Sequence, residues 1–273
     1  MANGTRPTGP VRGWRSLAFS AAIFAFLLVF VGAVAGLLAA DALYIDISAV
    51  YKVLQSEPIR AAAWLSLWTT TLATAISVMF AVPMGYALSR HRFPGQVLVD
   101  TLVDLPIVFP PLVMGLSLLV FFRTPMGMWI ESSGFEFIYQ RSGIVLAQVL
   151  VAASFGIRTI KSTFDDIDHR EEDVALTLGC SRGQAFWHVA VPNARGGIIA
   201  GAILTWARAF GIFGPLMVFV GAVRMRTEVL ATTVYLEASV GHIDVALAVA
   251  LLMVAIAAVA LVLIRCAGRR RLL

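Results

Sequence analysis

Residues Ala61–Ser89 read AAAWLSLWTTTLATAISVMFAVPMGYALS, twenty-nine positions without an Asp, Glu, Lys or Arg. As an α-helix at 1.5 Å per residue the run reaches about 44 Å, more than the roughly 30 Å of bilayer hydrocarbon. Four further runs, Leu17–Ala40, Leu105–Phe122, Ser142–Ile157 and Val245–Ile264, also lack charge, and a sixth, Gly196–Val223, is broken only by Arg208. Spanning takes about 17–25 apolar residues, so the fourth run suffices only if its helix continues past Arg158, whose long side chain can snorkel to the interface. Helices satisfy their own backbone in lipid, and no run shows the period-2 alternation of a membrane barrel. The sequence therefore predicts an all-α integral membrane protein with about six transmembrane helices.

Composition agrees. The 273 residues are 59% hydrophobic and 14% charged, against about 25% charged in a soluble domain. The first run is too long for a secretory signal core and ends in no clear cleavage site, so it is expected to be retained. The net charge of +5 invites a nucleic-acid reading, but its distribution speaks for topology. With alternating helices one side carries fourteen basic residues: Arg6, Arg12, Arg15, Arg90, Arg92, Arg158, Lys161, Arg170, Arg182, Arg195, Arg265, Arg269, Arg270 and Arg271. The other side carries six, Lys52, Arg60, Arg123, Arg141, Arg224 and Arg226. The positive-inside rule then expects both termini in the cytoplasm and no nucleic-acid partner. The organisation expected is a cytoplasmic tail over 1–16, one transmembrane domain over 17–264 and a basic cytoplasmic tail over 265–273. Cys180 and Cys266 fall on the reducing side, where a disulfide is not expected. With His91, His169, His188 and His242 scattered, no metal site is expected.

The loop at 165–195 stands apart in polarity. Asp168 followed by Glu171 has the spacing of a capping box, and Glu171, Glu172 and Asp173 fall in a first helical turn, where the dipole favours acids. Gly179 stands where a left-handed residue would end that helix. Ser181 with Gln184 repeats the capping box, and a second short helix is expected through Phe186, Trp187 and Val189 until Pro192. From these residues alone the hairpin is either an amphipathic element on the membrane surface or a rigid knob that docks a cytoplasmic partner.

The spacing Asp173-Val174-Ala175, three residues, Gly179, nine residues, Val189-Ala-Val191-Pro192 resembles the EAA loop of ABC importer permeases. Its pattern is Glu-Ala-Ala, three residues, Gly, nine residues, Ile-x-Leu-Pro; Asp173, Val174, Val189 and Val191 depart from it conservatively. Leu105-Pro106-Ile-Val-Phe-Pro110-Pro111-Leu-Val-Met-Gly115 and Ala207-Arg208-Ala-Phe-Gly211-Ile212-Phe-Gly214-Pro215, continuing to Glu237–Gly241, resemble the sulfate, molybdate and tungstate permeases. Ile212 stands where that subgroup often has glutamate, which leaves the substrate open.

The resemblance covers roughly Leu65 to Ile264. It implies a type I ABC importer permease fold of the molybdate- and methionine-permease kind, set in the bacterial cytoplasmic (inner) membrane and its lipid. It also implies ABC ATPase subunits, a second permease chain (homodimer or heterodimer) and an extracytoplasmic substrate-binding protein as partners. Asp173, Ala175, Gly179, Val189 and Pro192 become coupling residues: Ala175 and Gly179 for close approach to the ATPase, Asp173 for charge at the helix start, Pro192 for the angle of re-entry into the membrane. Other substrates of this scaffold are iron, polyamine, thiamine and sugar.

Pro106, Pro110, Pro111, Gly211 and Gly214 mark either a static kink or a flexible element of the translocation path. Arg208, a charge inside a span, either attracts an anion in transit or pairs with a carboxylate such as Asp104. Gly32–Gly36 and Gly197–Gly201 have the spacing of close helix contacts. The only lysines, Lys52 and Lys161, follow Tyr51 and Ile160, so no Gly-Lys-Ser/Thr phosphate loop is present. The chain is therefore not expected to be an enzyme or to carry a cofactor of its own, ATP and Mg residing on the partner ATPase. A membrane enzyme would need a fuller catalytic cluster than the acidic run Asp165–Asp173, and an ion-coupled carrier or channel would need polar groups in several spans.

Overall fold

The computed structural model describes residues 14–270. Of the expected tails, 14–16 and 265–270 are helical and the remainder lies outside the described residues. Contacts divide the chain into two units, residues 1–46 and 47–273. The first holds α1 (Trp14–Tyr44), whose stretch from Phe19 to Ala40 carries no charge on any side, as a lipid-facing span should.

In the second unit the order is α2 (Ile47–Gln55), α3 (Glu57–Arg90), α4 (Gln96–Val108), α5 (Pro111–Phe122), α6 (Pro125–Ser132) and α7 (Arg141–Asp166). There follow α8 (Arg170–Thr177), α9 (Arg182–Ala185), a π turn (Phe186–Ala190), α10 (Val191–Asn193), α11 (Arg195–Phe210), α12 (Gly214–Phe219), α13 (Leu230–Val240) and α14 (Ile243–Arg270). Among the described residues, α1, α3, α7 and α14 are long and apolar enough to cross a membrane singly. The fourth expected run does continue past Arg158, to Asp166.

Among the described residues the structure thus offers four single spans, or five if the bent pair α4–α5 counts as one, against the six or so expected, because two expected spans are broken. The third consists of α4 and α5, which meet at 114°. Pro106 rides inside α4 without breaking it. The break falls at Phe109 and Pro110, both extended with ψ of 127° and 130°, as the residue before a proline prefers. Pro111 then opens α5 at a position where a missing N–H costs nothing. The expected run Gly196–Val223, fifth in chain order, divides into sixteen-residue α11 and six-residue α12. Gly211, Phe213 and the Gly214-Pro215 pair interrupt it, so neither piece alone has the length of a span.

Helices α3, α7 and α11 pack together as the core, and the inner face of α3 is built mostly from small and hydroxyl residues. Ser66, Thr69, Thr70, Thr74 and Ser77 of α3 are buried while Trp64, Trp68, Met79 and Phe80 point outward. That inversion suits a protein whose solvent is lipid. The Ser66 and Thr74 hydroxyls donate to the carbonyls of Ala62 and Thr70, each at 2.8 Å. Gln148 of α7 donates to Thr70 Oγ1 at 3.2 Å and to the Ala209 carbonyl of α11 at 3.3 Å. A Cβ on Gly201 would stand 2.9 Å from Ile160, and one on Gly197 would overlap Thr163. The Gly197–Gly201 spacing thus marks a real close approach of α11 to α7. Two apolar clusters flank this seam along α7. One gathers Ile144, Val151, Ile212 and Phe219, the other Ile157, Ile160, Phe164 and Ala190.

Candidate functional site

Three features concentrate the chemistry: the loop after α7, the meeting of the two broken spans, and a charged cluster at the opposite end of the bundle.

In the loop, Gly179 has φ +91°, the left-handed conformation expected of it. The capping box of α9 also forms: the Gln184 N–H donates to Ser181 Oγ at 3.3 Å and the Ser181 N–H to Gln184 Oε1 at 2.7 Å. The capping box at Asp168 does not form. His169 takes the cap position of α8, Asp168 Oδ1 accepts from the Arg170 N–H at 3.0 Å, and the Glu171 carboxylate accepts from Asn193 Nδ2 instead. Glu172, in the first turn of α8, faces inward at 8% exposure. Pro192 does not stop the second helix either. The π turn closes with the Val191 N–H donating to the Phe186 carbonyl, and this wider turn carries the chain through a residue that lacks an N–H. Helix resumes with the Ala194 N–H on the Ala190 carbonyl at 2.9 Å.

Of the expected coupling residues, Asp173, Gly179 and Pro192 are exposed and Val189 half-buried. Ala175, at 8% exposure, faces the loop's own interior. Outward stand Val174, Leu178 and Trp187, an apolar knob that has no lipid-spanning length.

Behind the knob lies a group that sequence reading missed. Arg90, the last residue of α3, donates through Nε to Glu172 Oε1 at 2.8 Å, through Nη1 to the Phe164 carbonyl at 2.8 Å and through Nη2 to the Ile167 carbonyl at 3.1 Å. The Tyr86 hydroxyl donates to Glu172 Oε2 at 2.5 Å. In the sequence Arg90 registers only as topology and Glu172 only as helix-dipole charge. Nothing local pairs residues eighty-two positions apart.

The breaks of the third and fifth spans interlock. A Cβ on Gly115 would lie 2.8 Å from the Cα and carbonyl oxygen of Pro215, and one on Gly214 would lie 2.9 Å from Pro111 Cβ. Each span thus sets a proline against the other's glycine. Beside the crossing opens a cavity of about 410 Å³ lined by Pro110, Pro111, Val151, Arg208, Gly211, Phe213 and Gly214. Arg208 is exposed to it and rests over the Phe155 ring, its guanidinium carbon 5.4 Å from the centroid, a contact that steadies a cation without neutralising it. Pro106 lies outside this lining. The expected pairing of Arg208 with Asp104 is not made. Asp104 and Asp100, one turn apart on α4, both bind Arg158 of α7, which lies within their reach as Arg208 does not. That i, i+4 spacing of two carboxylates was the available signal. Ile212, 4% exposed, fills an apolar slot among Leu118, Val151 and Phe219.

At the opposite end from the loop, Glu237 of α13 accepts from Arg224 and contacts His242 Nδ1 at 3.0 Å. Glu228, 3% exposed, lines a 120 Å³ cavity with Arg141 and Met225. Burial pushes its carboxyl up and nearby Glu237 adds to this, against a hydrogen bond from Thr233 and the charge of Arg224.

Two solved membrane subunits share this fold. A bacterial alginate ABC transporter, solved in complex with an alginate pentasaccharide-bound periplasmic protein, superposes with a TM-score of 0.73 at 17% identity over 95% of this chain and 98% of that one. The MetNI methionine ABC transporter, in inward-facing conformations, gives 0.56 at 19% identity over 79% and 97%. The type I ABC importer permease fold expected from the sequence is the fold observed. Among relatives by sequence, the molybdate/tungstate transport system permease protein WtpB of Thermococcus kodakarensis is 38% identical over 173 residues, 63% of this chain and 66% of that protein. The sulfate transport system permease protein CysW of Escherichia coli is 32% identical over 61% of this chain and 58% of its own length. The chain thus spans less than two thirds of either. The molybdenum transport system permease protein ModB of Mycobacterium tuberculosis is 30% identical over 84% of this chain and 90% of its own length. The family described as the binding-protein-dependent transport system inner membrane component matches residues 77–272, from the middle of α3 past the end of α14. That stretch takes in the loop, both broken spans and the cavity between them, and the chain belongs to this family.

Proposed function

We propose that this chain is the membrane-spanning subunit of an ATP-driven importer for a small tetrahedral oxyanion, molybdate, tungstate or sulfate. The observation that carries the substrate class is Arg208, a cation facing the cavity where two broken spans cross, with its expected carboxylate partner already bound to Arg158. A charge left without a counter-ion inside a membrane is costly unless it faces a water-filled cavity, and charges so placed mark substrate paths. Broken helices around a midplane cavity are a recurring transporter design. The names of the relatives point to the same anions.

Work enters through the loop. The exposed knob of Val174, Leu178 and Trp187, with Asp173 and Gly179 beside it and Val189 and Pro192 at its base, docks a separate ATPase subunit that carries ATP and Mg. Two permease chains face each other, both termini cytoplasmic, and a soluble binding protein delivers the anion from outside. ATP-driven closure of the ATPases rocks the bundles between inward- and outward-facing states. Pro110, Pro111, Gly211 and Gly214 form the pliant part of the path, and Arg208 holds the anion only weakly, as release requires.

Elemental content of cells with and without the gene, grown on scarce oxyanion, tests this. One of molybdenum, tungsten or sulfur is expected to fall on deletion and to return with the wild-type gene. Return should be at least tenfold weaker with Arg208→Gln, at equal membrane abundance. Unchanged content of all three elements in a strain with no second uptake route refutes the oxyanion assignment. Full rescue by Arg208→Gln refutes the role of Arg208.

A further inference from the structure

We infer that Glu172, Arg90 and Tyr86 form a clamp that makes the cytoplasmic loop and the inner end of α3 move as one piece, converting displacement of the loop into displacement of the core helices. The inference rests on the importer reading above. Four segments converge on these side chains. Arg90 ends α3 and holds the Phe164 and Ile167 carbonyls at the end of α7. Glu172 comes from α8 and uses both oxygens, one on Arg90 and one on Tyr86. The Tyr86 ring meets Phe186 of the π turn edge-on at 4.7 Å and Phe164 at 5.4 Å.

The ion pair is almost closed to solvent, with side-chain exposures of 4% for Arg90 and 11% for Glu172. Charge-assisted bonds in such surroundings are short, directional and hard to deform. The outer side of the loop has no comparable tie, since Val174, Leu178 and Trp187 stand exposed. Force applied to that outer side reaches the inner end of α3 through Glu172 and the Tyr86 ring. From α3 it passes to α7 by direct backbone approach, for a Cβ on Gly85 would lie 3.0 Å from the Lys161 nitrogen. Helix α7 in turn supplies Val151 to the cavity beside Arg208. Glu172, Arg90 and Tyr86 are thus positioning residues, acting through the helices they join.

Proteoliposomes holding the complete transporter separate this role from a purely structural one, because the readout is ATP hydrolysed per anion imported. Glu172→Gln is isosteric and Tyr86→Phe removes a single oxygen, so both preserve packing. Glu172→Gln is expected to raise ATP consumed per anion about tenfold while hydrolysis stays within twofold of wild type, and Tyr86→Phe to raise it about threefold. A structural role alone lowers the amount of assembled transporter and moves both rates together, leaving the ratio unchanged. An unchanged ratio in both variants overturns the clamp. Failure of the importer reading itself shows separately, as a wild-type chain that retains no ATPase in mild detergent.

Discussion

Gly115 lies where α5 crosses α12, and its replacement by alanine tests the interlocked breaks directly. The added Cβ would stand 2.8 Å from both the Cα and the carbonyl oxygen of Pro215. Ordinary contacts begin near 3.4 Å, so two backbone atoms are overrun by roughly 0.6 Å. Pro215 cannot rotate aside as a long side chain can, and it is itself buried beneath α5. The two helix pieces must therefore separate. Overpacking of this kind costs about 1–3 kcal/mol, and the upper half of that range applies because backbone rather than side chain blocks the methyl. At about 2–4 °C per kcal/mol for a chain of this size, Gly115→Ala should melt roughly 5–10 °C below wild type in the same detergent. Gly183→Ala is the matched control, as nothing lies within 4 Å of its Cβ, and it should melt within a degree or two of wild type. Thermal unfolding followed by a thiol- or tryptophan-based signal reads both. A Gly115→Ala protein that melts with wild type would mean that the breaks do not interlock, and the cavity beside Arg208 would lose its wall.

Two further outcomes follow from the loop and from the outer end. A bulky residue in place of Gly179 must adopt φ +91°, at about 1–2 kcal/mol, and adds volume on the exposed side of the hairpin. Gly179→Leu should insert normally in the membrane yet abolish transport and reduce ATPase retained in mild detergent at least tenfold; normal transport would remove the loop from the coupling role. Glu228 gives a pH dependence of known sign. Burial raises its carboxyl, so the folded chain keeps the proton to a higher pH than the unfolded chain. Stability therefore rises as pH falls through the raised value toward the ordinary carboxylate range, and the cost of the buried charge is fully present above it. Glu228→Gln should flatten that slope and raise the melting temperature at alkaline pH; an unchanged slope would show that Glu228 is not its source.

Much of this chain is written locally. Charge-free runs require membrane helices because an unsatisfied backbone is intolerable in lipid. Gly179 announces a left-handed turn, Ser181 and Gln184 a cap, and the paired prolines at 110 and 111 a break, because each acts within a few residues of itself. The same locality explains the errors. Asp168 and Glu171 have the spacing of a cap, yet Asn193, twenty-two residues away, takes the Glu171 carboxylate. Pro192 should end a helix, but the π turn before it absorbs the missing N–H. Arg208 and Asp104 have opposite charge within one apolar field, yet α4 presents Asp104 to Arg158.

What only the tertiary structure decides is pairing over distance. The Gly115–Pro215 and Gly214–Pro111 contacts and the Arg90–Glu172–Tyr86 clamp join residues that share no window of sequence. A helical period fixes which residues share a face, but not which face of another helix it meets. That choice is made by shape, at glycines small enough for backbones to touch, and by the few buried charges, such as Glu172 and Arg90, that must find partners on other helices.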